Sequence, residues 1–246
     1  MDRMIYTAMS GASAVMNRQQ AITNNLANVS TNGFRAELST FRSVPLQGSG
    51  ASTRVFALEA TAGHLETPGT LNSTGRNLDV AAVGNAYFAV QGLDGTEAYT
   101  RAGNLQVAVD GTLTGATGRP MLDDGGAPIA VPENSEVAIA SDGTVSARRG
   151  TEVPQLLGRL KLVTPNNEVR LKRGDDGLYR APDRAPLPQD AEARLKDGML
   201  EGSNVNAIEA MVGMIAVARQ FEQQMRLLQT AEKNDQTAAQ LLGLNG

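Results

Sequence analysis

Apolar residues recur at helical spacing at both ends of the chain and at strand spacing between them. In the first stretch, 1–27, Met1, Ala8, Val15 and Ile22 stand seven residues apart, and Ile5, Ala12 and Leu26 follow a second such series interrupted by Gln19. In the last stretch, 207–242, Met214, Phe221 and Leu228 repeat the device, flanked by Met211, Ile215, Ala218 and Met225. This spacing draws a stripe along a helix, whereas a half-buried strand needs strict alternation. The pattern predicts a first helix from near Arg3 to Asn28, where Asn28-Val29-Ser30-Thr31-Asn32-Gly33 supplies stop and turn chemistry. Asn206 is placed to cap the second helix with Glu209 at the capping-box position, and Glu222 and Arg226 make a favourably ordered i,i+4 pair. Sequence-distant ends that each need a helical partner imply an antiparallel, coiled-coil-like pair closing the chain on itself.

Between the helices the period changes. Residues 34–75 keep no lasting period and are expected as an extended connector, with room for a hairpin. From Asn77 onward short β-like runs appear at 78–83, 87–91, 97–101, 105–109, 136–140, 144–148, 159–163 and 168–172. Asp-Gly pairs at 94–95, 110–111, 124–125, 142–143, 176–177 and 197–198 punctuate them, as suits turns that need a positive φ. Strands this short at this spacing predict an antiparallel sandwich or barrel-like domain, and Pro182, Pro186 and Pro188 mark a return strand or linker. The fold class is therefore α+β: a discontinuous helical domain from 1–33 and 200–246, and a mostly antiparallel all-β domain over 76–199. Antiparallel return of the chain would bring Asn24, Asn25 and Asn28 beside Ser203, Asn204 and Asn206 at the junction.

Composition narrows the function. A chain of 246 residues can bury a sizeable core, yet aromatic residues are only 4% and tryptophan is absent, so packing falls to aliphatic side chains. Net charge is −4 with Lys and Arg dispersed, unlike the concentrated basic patch of a nucleic-acid binder. The absence of cysteine excludes disulfides, thiolate metal sites and a cysteine nucleophile. Met211–Ala218 is the longest apolar run and is too short for membrane insertion. Thr7, Ser10, Ser13, Asn17 and Arg18 interrupt any secretory signal, so a route out of the cytosol, if the chain takes one, is expected to leave the N-terminus intact.

Catalytic chemistry finds little support. His64 is the single histidine and has no nucleophile elbow near it, and a turn role is preferred. The Asp-Gly pairs lack the alternating acidic ligands of a calcium loop. No phosphate-cradling or dinucleotide-binding glycine pattern occurs, so no cofactor, metal or small-molecule substrate is expected. The helices instead invite burial among neighbours. Gln19, Gln20, Asn24, Asn25, Gln220, Gln223, Gln224 and Gln229 are amides suited to hydrogen bonding between helices, and 211–218 is apolar nearly all round. One helical pair cannot enclose itself on several sides. Ile5, Val15, Ile22, Leu26, Met214, Phe221, Met225 and Leu228 are the expected assembly positions.

The segment 21–28, Ala-Ile-Thr-Asn-Asn-Leu-Ala-Asn, continuing through Thr31, Asn32, Gly33, Phe34 and Arg35, resembles the N-terminal signature of the bacterial flagellar rod and hook proteins. Leu200-Glu201-Gly202-Ser203-Asn204-Val205-Asn206, with Glu209, Met211, Met214, Ile215 and Arg219, is similar to their C-terminal signature. Residues 74–81 and 99–104 resemble motifs that open the family's β domain. The opening 1–12 and the tail from Phe221-Glu222 to Leu241-Leu242 are more similar to the proximal rod members than to the distal ones, and hook proteins are much longer. The resemblance implies a non-enzymatic subunit of the basal-body rod, with terminal helices forming an inner tube and β domains outside. It implies other rod proteins, copies of itself and the flagellar export apparatus as partners, in a periplasmic shaft that carries motor torque. A distal rod subunit is the alternative. A secreted β-domain adhesin and a β-fold hydrolase are the rivals from other classes.

Overall fold

The computed structural model describes residues 3–45, 55–166 and 169–243. They divide into two units: Met1–Val29, Ala36–Leu65 and Val205–Gly246 form the first, and Ser30–Arg35 with Glu66–Asn204 form the second. The first holds α1 (Arg3–Ala27), β1 (Glu37–Pro45), β2 (Val55–His64) and α2 (Ala207–Gly243). The second holds β3 (Leu71–Ser73), β4 (Val80–Ala82), β5 (Tyr87–Gln91), β6 (Glu97–Thr100), β7 (Gln106–Val107) and β8 (Leu113–Thr114). It continues with β9 (Glu136–Ile139), β10 (Thr144–Arg148), β11 (Gln155–Arg159), β12 (Leu162–Val163), β13 (Lys172–Arg173), β14 (Tyr179–Arg180), β15 (Leu195–Asp197) and β16 (Met199–Glu201). The architecture is α+β.

In the first unit the two helices run antiparallel. A β-carbon added to Gly11 would stand 3.4 Å from the Gln224 side chain, and one added to Gly213 would stand 3.5 Å from Ile22 Cδ1. Each of these pairs sums to 235, so residue i of α1 lies level with residue 235 − i of α2. On α2 the buried and half-buried positions Ala207, Ala210, Met214, Val217, Phe221, Gln224, Leu228 and Ala231 alternate steps of three and four. Ala8, Ala12, Val15, Gln19, Ile22 and Leu26 do the same on α1. This is the seam spacing of a coiled coil. A second buried or half-buried face of α1, Ala14, Asn17, Ala21 and Asn25, suits the contact that this helix also makes with β1 and β2. Asn206 Oδ1 accepts from the backbone N–H of Ile208 at 3.1 Å and of Glu209 at 3.3 Å, the N-cap that the sequence predicts.

The expected connector carries a long hairpin. β1 and β2 pair antiparallel from Glu37 opposite His64 to Pro45 opposite Val55. The register shifts where two steps on β1, Ser39 to Phe41, oppose three on β2, Ala62 to Glu59, a bulge that disturbs the strict pairing of the two strands.

The β unit is a set of small antiparallel sheets: five strands in the order β12-β5-β6-β14-β13, three in the order β11-β10-β9, and the pairs β15-β4, β16-β3 and β7-β8. β5 is buried on both faces. Its Phe88 and Val90 join the larger core with Val80, Leu105, Leu113, Met121, Val145, Leu160 and Leu162, while Tyr87 and Ala89 join a second with Tyr99, Leu122, Val163, Leu171 and Tyr179. The run expected at 159–163 divides into β11 and β12, because Leu160 N–H donates to Gly143 and Lys161 N–H to Leu122. Of the strand expected at 168–172, residue 168 lies outside the described residues. Five of the Asp-Gly glycines have positive φ, but at Asp124-Gly125 that conformation passes to Gly126, at 81°. Residues 181–190 hold no strand; the chain returns in β15 and β16, which part at Gly198 with φ 62°.

One substitution checks the seam. Gly213 lies in a helix interior, and the added methyl of Gly213→Ala meets Ile22 at ordinary van der Waals distance. The change is expected to stabilise the helical unit by about 0.5–1 kcal/mol through helix propensity. Thermal melting followed at 222 nm should move upward, and a fall would mean that the helices approach more closely than this seam.

Candidate assembly faces and the buried signature cluster

The expected assembly positions fall mainly within the seam of the helical unit. Val15 is buried; Ile22, Leu26, Met214, Phe221 and Leu228 are half-buried; Met225 stands at the seam's margin, exposed. The side chain of Ile5 lies outside the described residues. Their heptad spacing brings these residues to one line on each helix, and the apolar surface left uncovered belongs to others. On α1 it is Tyr6, Met9 and Met16, each more than half exposed. On α2 it is chiefly Ile208, Met211, Val212 and Ile215, of which Ile208 is 75% exposed, with Met225 and Leu227 exposed further along. Steps of three and four place 208, 211, 212 and 215 on a single face. The signal that could have found them is the all-round apolarity of 211–218, which requires cover beyond one partner helix.

The asparagines have distinct local tasks. Asn24 Nδ2 donates to Glu37 Oε2 at 3.0 Å. Asn25 exchanges two hydrogen bonds with the Glu37 backbone, at 3.0 and 2.7 Å, so it holds the first residue of β1 to α1. Asn28 Nδ2 folds back to Asn24 O at 2.9 Å and terminates the helix. In the β unit Asn204 Nδ2 donates to Thr67 O at 2.8 Å and its N–H donates to Phe34 O. Ser203 is half-buried and Asn206 is exposed at its cap.

Sequence reasoning missed the ion cluster inside the β unit. Glu201, Arg35 and Arg101 are almost wholly buried. Glu201 Oε1 takes Arg35 Nη2 at 2.9 Å and the Gly69 N–H at 3.0 Å, and Oε2 takes Arg101 Nε at 2.8 Å and also its Nη2. One carboxylate faces two guanidiniums, and backbone carbonyls share the remaining charge. Arg35 Nη1 donates to Glu66 at 2.7 Å and to Thr67, while Arg101 donates to Ala82 at 3.1 Å and to Ala86. Burial lowers the pKa of Arg35 and the neighbouring Arg101 adds to the fall, with Glu201 opposing both. An arginine nevertheless stays charged.

Around this cluster the short motifs meet. Gly33 N–H donates to Glu201 O at 2.8 Å, with φ 70°. A side chain on Gly33 would strike the Arg101–Ala102 backbone, so glycine is required twice over. Phe34 is buried under the Arg173 guanidinium, 4.3 Å from its ring centroid. Arg76 Nε reaches Asp79 at 3.0 Å, and Asp79 bridges to Asn104. Segments 33–35, 76–81, 99–104 and 200–204 thus lock into one another. Tyr87 lies beside Arg101 and edge-on to Tyr179, with ring centroids 5.3 Å apart; burial pushes its phenol up to about 12.

Glu201 and Arg101 find their partners within the β unit, while Arg35 Nε is buried without a hydrogen-bond acceptor among the described residues. Among the described residues no group of three or more His, Cys, Asp or Glu could hold a metal ion. Among them, too, no helix is long and apolar enough to cross a membrane. His64 is half-buried at the end of β2, opposite Glu37 in the hairpin.

Paired terminal helices with uncovered apolar faces in one unit, and buried ions that lock the short motifs of the other, suit a structural protein. Three family models match: the flagella basal body rod protein model over residues 5–35, the flagellar hook protein FlgE/F/G D1 domain over 81–147, and the flagellar basal body rod FlgEFG protein C-terminal model over 196–241. The chain is 46% identical to the flagellar basal-body rod protein FlgF of Salmonella typhimurium and 45% identical to FlgF of Escherichia coli K12, with the whole of each chain covered. It is 32% identical to the flagellar basal-body rod protein FlgG of Bacillus subtilis, over 94% of this chain and 96% of that one. The chain belongs to the flagellar basal-body rod protein family. It is a structural rod subunit and not an enzyme, and neither the adhesin nor the hydrolase reading is favoured.

Two measurements test the cluster. Glu201→Gln keeps the shape but leaves two buried guanidiniums without their anion, at a cost of about 3–5 kcal/mol. Urea unfolding of the β unit should shift by that amount, and a change below about 1 kcal/mol would deny the carboxylate its role. The second concerns pH. An unfolded chain releases the Tyr87 proton near pH ~10, whereas the folded chain holds it to about 12. Stability is therefore fully present below the lower value and is lost as pH rises toward the upper, at about 1.4 kcal/mol per pH unit for this phenol. Urea midpoints and phenolate absorbance at 295 nm follow the loss, and a flat profile over that window would contradict it.

Proposed function

We propose that this rod subunit polymerises through its terminal helices into the proximal part of the shaft that carries motor torque. The observation that supports it most directly is the uncovered apolar surface on both helices, in a chain whose full-length relatives are rod proteins. In this reading Ile5, Val15, Ile22, Leu26, Met214, Phe221, Met225 and Leu228 serve assembly from within. They pair the helices and so aim the outer faces at neighbours. Those neighbours are other rod proteins and copies of the chain, repeated through contacts that do not close on themselves. Gly33, Phe34, Ser203 and Asn204 stiffen the β unit from within, and Asn24, Asn25, Asn28 and Asn206 do the same for the helical unit. Torque then passes through many interlocked contacts instead of one hinge. Delivery by the flagellar export apparatus to the periplasmic rod belongs to the same proposal.

The test replaces Val212 and Ile215 with Asp. Both are exposed in the free chain, so stability should change by no more than about 0.5 kcal/mol per site and circular dichroism should stay as it was. In an assembled seam each carboxylate would be buried without a partner, at a cost of several kcal/mol. Isolated basal bodies should lack the variant and the cells should not swim. Phe221→Asp with Leu228→Asp is the contrasting pair, expected to lower the helical signal of the free chain itself. Normal incorporation and swimming of the Val212/Ile215 variant would sink the proposal.

A further inference from the structure

We infer that the two uncovered faces are the two halves of one contact: Tyr6, Met9 and Met16 on α1 of one copy pack against Ile208, Met211, Val212 and Ile215 on α2 of a second copy, displaced along the helices by about 17 Å. The inference rests on the rod reading and adds the partner face and the stagger.

The argument is one of level. By the seam register, the α1 face over 6–16 lies level with 229–219 of α2, and the α2 face over 208–215 lies level with 27–20 of α1. Each helix therefore changes character along its outward side. α1 carries Tyr6, Met9 and Met16 with the small Ser13 among them, then is wholly polar at Gln20, Thr23 and Asn24, all exposed. α2 is apolar from Ile208 to Ile215, then charged at the exposed Arg219, Glu222 and Arg226.

Two copies set side by side without displacement would press the face from Tyr6 through Met9 to Met16 onto Arg226, Glu222 and Arg219. The same arrangement would press Ile208–Ile215 onto Gln20, Thr23 and Asn24. Both contacts strip water from polar groups and return no partner for them. A shift of about 11 residues, at ~1.5 Å each, brings apolar onto apolar and leaves the charged turns in water. It sets Met9 opposite Ile215 and Met16 opposite Ile208. The α1 face is three residues the longer, so Tyr6 reaches past Ile215 toward Ala218, and the faces differ in shape, mainly methionine thioethers against mainly branched side chains, which suits a contact between different surfaces. Because each copy carries both faces, the contact leaves one half free at each end, and an open series follows.

The chain has no cysteine, so introduced thiols cross-link against an empty background. Met9→Cys and Ile215→Cys are expressed together as separate copies, their presence in isolated basal bodies is established, and the intact particles are oxidised with copper phenanthroline. A linked species of twice the chain mass, containing both variants, is expected. Met16→Cys with Ile208→Cys should give the same product and is a second reading at the same stagger. Gln20→Cys with Ile215→Cys, which are level without displacement, should not link. Linking of Gln20 instead of Met9, of Met9→Cys to itself, or of either variant to a different protein would overturn the inference. So would variants that are present in the rod and yield no Met9–Ile215 or Met16–Ile208 product. If the unaltered tagged chain were absent from basal bodies, the rod reading would fail first and the stagger with it.

Discussion

Glu201 holds together motifs that are far apart in sequence. Burying a carboxylate and two guanidiniums costs several kcal/mol per ion, and the cost is recovered only as far as charged donors find acceptors in good geometry. Here Gly69 N–H and two arginines converge on one carboxylate, and the surplus positive charge is spread over the carbonyls of Glu66, Thr67, Ala82 and Ala86. Those carbonyls come from two stretches of backbone, 66–67 and 82–86. If any one shifts, a buried charge loses its partner. The arrangement gives the β unit a single acceptable packing, which its short strands alone would specify weakly. It also explains why Gly33, with φ 70° and no room for a β-carbon, stands where it does.

The helical unit follows a different logic. Its seam contains Ala8, Ala12, Ala207, Ala210 and Ala231 beside a few larger aliphatic residues, and Gly11 and Gly213 lie on facing surfaces. Small side chains let the helices approach but bury little apolar area, so the pair draws limited stability from itself. The larger apolar residues Tyr6, Met9, Met16, Ile208, Met211, Val212 and Ile215 face outward. A helix pair built this way has more to gain from neighbours than from its own seam, as befits a subunit whose working state is an assembly.

The failures of sequence reasoning have physical causes. The β1–β2 hairpin, for which the sequence left room, could not be placed, because a bulge with one extra residue between Glu59 and Ala62 interrupts the pairing. The 159–163 run reads as one strand, yet backbone N–H groups at Leu160 and Lys161 turn to Gly143 and Leu122, and the strand divides. At Asp124-Gly125-Gly126 two glycines can each take the left-handed turn position, and local pattern does not choose between them. The Arg35–Glu201–Arg101 cluster left no trace of its own, since arginines and glutamates ordinarily mark a solvated surface.

What the amino-acid order determined by itself was whatever depends on near neighbours. The 3.6-residue period set α1 and α2 almost to the residue, the Asn206 cap fixed where α2 begins, and Asp-Gly pairs fixed most of the turns. Only the tertiary structure decided which apolar residues are spent inside the chain and which stay outside. A heptad stripe and an exposed stripe have the same spacing, and the distinction between Phe221 in the seam and Ile215 beyond it depends on where the partner helix lies. The tertiary structure likewise brought Glu201 to Arg35 and Arg101, across sequence separations of about a hundred residues or more. Long-range electrostatic pairing has no local period, because its energy depends on distance and burial and not on position along the chain.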